Sequence, residues 1–173
     1  MRSTLPSWDQ RSADYANLFN PAFLTVVLSA ACGGFEEEQK DISDDGELGM
    51  PFALLFLAVP MALSLEFHEA RPNRLSGSLT NWAKKHPAIT ANMSMATYSL
   101  VPAVREAIAY GLRAEQLVAG DKGRFRRGSG HGNPELDVRT ALVGHENNAT
   151  FVGRWLGKSG GTAAILEAFG LRP

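Results

Sequence analysis

The strongest constraint on this chain is the run from Met50 to Leu65. Phe52, Leu54, Leu55, Phe56, Leu57, Val59, Met61 and Leu63 leave a helix here no polar side. A helix that is apolar all round must sit inside other structure. The run is shorter than the roughly 20 residues a membrane span needs. It also contains Pro51 and Pro60 and gives way to Glu66. It reads as a central buried helix with Pro51 as its first residue. Pro60 should kink or end it, because the ring clashes with the preceding turn and removes a donor. A buried central helix needs a shell around it, and 173 residues with 45% hydrophobic content suffice for one such domain, residues 1–173.

The rest of the sequence supplies that shell. Asn20-Pro21 is a cap followed by a first-turn proline, and it opens a helix carrying Phe23, Leu24, Val26, Val27 and Leu28. Gly33-Gly34 should weaken or end that helix, with residues 35–39 as an acidic surface turn and 41–49 as a polar loop turning at Asp44-Asp45-Gly46. Residues 76–78 cap a short helix holding Leu79 and Trp82, which His86-Pro87 ends. A longer helix runs from Ala88 towards Leu112, interrupted before Pro102, with Val104, Ile108 and Leu112 on one face and Gly111 as terminator. Residues 116–119 and 124–126 flank Asp121-Lys122-Gly123 as a β-hairpin. Residues 128–134 read as a flexible loop, and helices follow around 147–156 and 162–169. The expected fold is α+β and mostly α-helical: a helical domain with a small β-hairpin. A helix followed by a basic hairpin is also the outline of a winged-helix unit.

No catalytic set stands out. Gly157-Lys158-Ser159 ends like a phosphate-binding loop, but Val152 stands where that motif needs a glycine, and a helix is expected where it needs a strand. Asp41, Asp44, Asp45 and Glu47 lack the spacing of a calcium loop. No two of His68, His86, His131 and His145 have the spacing of a helical metal pair, and Ser129 between two glycines lacks the nucleophile-elbow spacing. Cys32 is the single cysteine, so neither a disulfide within the chain nor a Cys-rich metal site can form; it reads as a small core residue. No cofactor is expected. A reducing cytoplasmic compartment fits, and residues 1–20 carry no apolar segment of the signal-peptide kind.

Charge is segregated. Residues 21–70 hold nine acids against Lys40 alone, whereas residues 71–130 hold ten bases against three acids. Such blocks either meet different partners, or face each other and solvent. The densest basic cluster is Lys122, Arg124, Arg126 and Arg127, with Phe125 between. Alternation puts Arg124 and Arg126 on one face and Phe125 towards the core. These residues are candidates for DNA or partner contact, or else protect an exposed strand edge. Near the C-terminus, Phe151 and Trp155 share a helical face, with Phe169 nearby. They either close over the core or, framed by Arg154 and Lys158, form a docking site of Arg154, Trp155 and Lys158 for a partner.

Three stretches carry a resemblance: Phe19-Asn20-Pro21-Ala22-Phe23, then Gly49-Met50-Pro51-Phe52 with the apolar run after it, then Phe151 to Lys158 with Ile165 to Pro173. In this order and spacing they resemble the middle component of three-component ABC systems. The resemblance implies a bacterial conflict system with a large SMC-like or Rad50-like ABC ATPase and a separate effector, often a nuclease; Lamassu-type anti-phage defence is similar in layout. It implies a non-catalytic bridging subunit that meets double-stranded DNA through the complex and no membrane, and in it residues 128–134 look like a local insertion. The alternative is a stand-alone winged-helix DNA-binding regulator.

Overall fold

A computed structural model describes residues 5–40, 48–75, 77–130 and 136–172, without the side chains of Leu18 and 136–142. The apolar run forms helix α3 (Phe52–Leu63), and Leu54, Leu55, Leu57, Ala58, Val59 and Met61 are all buried. Two expectations about it change. Pro51 is not its first residue but its cap, and with Met50 forms a short strand, β1 (Met50–Pro51). Nor does Pro60 end it. That proline removes a single donor, the ladder continues with Ser64 N–H on the Pro60 carbonyl at 3.0 Å, and the break comes at Ser64. The Ser64 hydroxyl then caps helix α4 (Leu65–Ala70) by accepting from Phe67 N–H.

Around α3 lie α1 (Ala13–Leu18), α2 (Pro21–Gln39), α5 (Leu79–Lys85), α6 (Pro87–Arg113), α7 (Leu136–Lys158) and α8 (Thr162–Ala168). The chain is 71% helical, which makes the α+β, mostly α reading correct. Asn20 caps α2 as expected, its side chain accepting from Ala22 N–H at 2.9 Å. Gly33-Gly34 does not end α2, and Phe35 is buried on its last turns. The glycines serve a helix crossing instead. A Cβ on Gly34 would stand 2.2 Å from the Thr150 carbonyl oxygen of α7, and one on Gly153 would stand 1.9 Å from the Ala31 carbonyl oxygen. Backbone therefore meets backbone, as only glycine allows, and α2–α7 is the most extensive helix contact. The polar loop expected at 41–49 falls mainly outside the described residues.

Helix α6 is continuous through Pro102, against the expected interruption. The carbonyl left without its donor belongs to Tyr98, a 59% exposed residue. Val104, Ala107 and Ile108 are buried as the periodicity requires, but Leu112 is 39% exposed. Successive steps of four residues drift round a 3.6-residue helix, so the apolar face passes to Gly111. Gly111 is not a terminator: a Cβ there would stand 2.8 Å from the Leu117 and Thr25 side chains, so its bareness lets a strand lie against α6.

The hairpin forms from β2 (Leu117–Ala119) and β3 (Arg124–Arg127), joined by a short turn at Asp121–Gly123. Beyond expectation, β1 pairs with the other side of β3, Met50 opposite Phe125, giving a three-stranded antiparallel sheet ordered β1-β3-β2. The flexible loop expected at 128–134 begins tied down: Gly128 and Gly130 N–H donate to the Gln116 and Glu115 carbonyls at 2.9 and 2.8 Å. Residues 131–134 lie outside the described residues. The N-terminal segment is pinned to α6 by Arg11, whose guanidinium donates to both Glu106 carboxylate oxygens at 2.6 and 2.7 Å, with the Arg11 side chain 3% exposed. By length and composition alone, residues 13–39 are apolar enough to cross a membrane, but 53% of the most apolar window is buried inside the protein.

Candidate interaction surface

Strand β3 fixes the basic cluster. Phe125 is buried, its ring 5.7 Å from that of Phe52, while Arg126 and Arg127 are exposed and Arg124 is half-buried. Arg124 donates to the Gly49 carbonyl at 2.9 Å, and Arg127 N–H donates to a Glu36 carboxylate oxygen at 2.8 Å. The Arg127 stem covers Gly33, where a Cβ would stand 3.1 Å from its Cδ. Lys122 sits at the hairpin tip in a left-handed conformation, φ 54°. Strand β3 is central in the sheet, with β1 paired against its Arg124 and Phe125. Arg124 and Arg127 knit the sheet to α2 and the start of α3, leaving Arg126 as the exposed base opposite Phe125.

The C-terminal aromatics turn inward. Trp155 and Phe169 are each 1% exposed, and Phe151 is half-buried. The Trp155 indole donates to the Gly77 carbonyl at 3.1 Å and packs against Phe67, Trp82 and Phe151. Arg154 lies outside and pairs with Glu38 at 2.7 Å; Lys158 is exposed. Arg154, Trp155 and Lys158 therefore do not share one surface. The Arg154–Glu38 pair joins the acidic block to a base elsewhere in the chain, so part of the charge segregation is spent within the fold.

The features that resemble active sites have structural explanations. Gly153 packs on α2, a Cβ on Gly157 would stand 3.1 Å from the Phe35 carbonyl oxygen, and the segment before Lys158 is helix, not the strand a phosphate loop requires. Cys32 is fully buried, and burial pushes its thiol pKa up to about 12, the opposite of an activated nucleophile. Among the described residues no three metal-binding side chains gather; His131 and Asp41 to Glu47 lie outside them. Arg71 stacks 3.9 Å over the Phe151 ring and donates to His68 Nδ1 and Asn148 Oδ1. Burial lowers its pKa.

The largest feature missed in the sequence lies on α6. From Pro87 to Val104 there is no Asp, Glu, Lys or Arg, in a chain that is 20% charged. Half of this helix faces outward nonetheless: Met95 is 71% and Tyr98 59% exposed, and Pro87, Ala88 and Ala91 are exposed beside them. A surface helix usually shows charge on its outer face, and loss of charge with enrichment in Met and aromatics marks interface cores. Alongside runs an open groove of ≈530 Å³ between α5, α6 and α8, lined by Ala83, Pro87, Ala91, Met95 and Phe169 together with Lys84, Thr90 and Ser94. The absence of charge over 18 residues was legible in the sequence. That the stretch faces outward was not, because only the packing of α3 decides which side of α6 is covered.

Compared with known proteins, residues 8–173 match the sequence model of the family described as ABC-three component (ABC-3C) system Middle Component 3. No curated protein and no solved structure matches the chain.

Proposed function

The chain belongs to the Middle Component 3 family of ABC-three component systems, and from that premise we propose that it is a non-catalytic adaptor bridging an SMC-like or Rad50-like ABC ATPase to an effector, nuclease in kind. In this reading the assembly is a cytoplasmic anti-phage defence complex of Lamassu-like layout, and ATP is bound by the partner. A subunit of a three-component system needs surfaces for its partners. The observation that carries the reading is the exposed, charge-free face of α6, centred on Met95 and Tyr98. The opposite requirement, a second contact region, falls to the sheet face around Arg126 and Lys122.

Co-expression with the two other components, followed by affinity purification, tests this. The wild-type chain should elute with both, and Met95→Glu with Tyr98→Glu should elute as a folded subunit lacking at least one. A wild-type chain that elutes alone overturns the reading. The second reading, a DNA-binding regulator, is favoured by the order α6, then basic hairpin. It requires duplex binding by the isolated chain that falls with salt by about one log-log unit per phosphate contacted, and no binding at ~50 mM salt removes it.

A further inference from the structure

Resting on the adaptor reading, we infer that the α5–α6–α8 groove takes an amphipathic helix of the ABC subunit, apolar on one face and acidic at the end that lies against Lys84 and Lys85. The groove walls are mostly apolar, with Thr90, Ser94 and Lys84 the polar members, and the exposed face beside them, Pro87 to Tyr98, is about three helical turns or roughly 18 Å long. The Thr90 hydroxyl already serves the Ala83 and His86 carbonyls at 3.1 and 2.9 Å. The walls thus lack the several convergent polar groups that orient a small molecule. Nucleic acid is disfavoured as well, since no base stands between Lys85 and Arg105 to meet a phosphate row.

Lys84 lines the groove, and Lys85 follows it in the last turn of α5. Lys84 and Lys85 close α5, both are exposed, and neither has a carboxylate partner among the described residues. Immediately after them α6 begins without a side-chain cap, so its first N–H groups point the same way. An acidic helix end complements this, and an apolar stripe at i, i+3, i+4 and i+7 complements Ala91 and Met95. A second copy of this chain fits worse. Its α6 laid antiparallel about Met95 would bring Arg105 beside Lys84 and Lys85, and laid parallel it would bring its own lysines there.

The test uses the full-length chain immobilised for biolayer interferometry, with the purified ABC subunit as probe. Ala91→Trp blocks the groove, and the double variant Lys84→Glu, Lys85→Glu reverses its charge. All three positions are exposed, so the Ala91→Trp circular dichroism melt should match wild type, and the charge reversal in the last turn of α5 should lower Tm by only a few degrees. Each variant should weaken ABC binding by roughly tenfold or more, and the charge reversal should also flatten its salt dependence. Affinities within about twofold of wild type for both overturn the groove assignment, as does a loss confined to the effector subunit or to self-association. A wild-type chain that ignores the ABC subunit overturns the adaptor reading as well, whereas wild-type binding that both variants retain overturns the groove alone.

Discussion

Replacing Gly153 by alanine probes the α2–α7 crossing directly. The added Cβ would stand 1.9 Å from the Ala31 carbonyl oxygen, against a floor of 3.0 Å for real Cβ contacts. Two helix backbones must therefore part by about 1 Å, since neither obstacle is a side chain that can swing away. A radial gap of that size forfeits about a quarter to a half of the dispersion well for the atoms along the seam, and overpacking of this kind costs typically about 1–3 kcal/mol. The clash with backbone places this site at the upper end. Alanine returns about 1 kcal/mol over glycine in a helix interior, so the net loss should be about 2 kcal/mol. For a domain of this size that lowers Tm by roughly 4–8 °C. Gly144 on the same helix is the internal control, because a Cβ there meets nothing within 4 Å. Gly144→Ala should stabilise by about 0.5–1 kcal/mol. Urea titrations followed by circular dichroism read both. A Gly153→Ala protein as stable as wild type, or stabilised like Gly144→Ala, refutes the backbone-contact account.

Trp155→Ala removes a buried indole and its bond to the Gly77 carbonyl, and should cost about 3–5 kcal/mol in the same titration; a soluble, equally stable variant would mean the ring is not core. Cys32 should resist iodoacetamide at pH 8 in the folded chain and react only once urea unfolds it, as a buried thiol with its pKa raised to about 12 requires; mass spectrometry counts the adduct. Arg11 holds the Glu106 carboxyl below the usual carboxylate range, chiefly through their hydrogen bond. Because the folded value is the depressed one, this anchoring is complete above about pH 4.3 and fades as pH falls through the folded value. Pepsin should therefore cut residues 5–11 faster as pH drops from 4 to 2, and Glu106→Gln should cut fast across that range; identical profiles for the two proteins would remove the anchor's role.

The helical parts of the fold were legible where one residue decides. Asn20-Pro21 opened α2, His86-Pro87 separated α5 from α6, and the apolar run could only be interior. What failed were glycines and prolines read as punctuation. Gly34, Gly111 and Gly153 are bare because something packs on them, and that neighbour is remote in sequence. Pro60 and Pro102 sit within helices because each costs one hydrogen bond, which a long helix in a packed shell tolerates. Strand β1 escaped because two residues carry no alternation; its existence depends on β3, some 75 residues later. At the candidate surface, the aromatic trio was visible but its direction was not. The charge-free span of α6 was visible in composition, and only the fold turned it into a surface.

The pairing of β1 with β3 has a mechanical consequence. A hairpin held on one side flexes as a flap. Here Met50 and Pro51 are stitched to Phe125 and Arg124, and the very next residue begins the core helix α3. Arg124 and Arg127 add rivets to Gly49 and Glu36. A load applied to β3 at Arg124 is thus delivered to the N-terminal end of α3 through paired backbone.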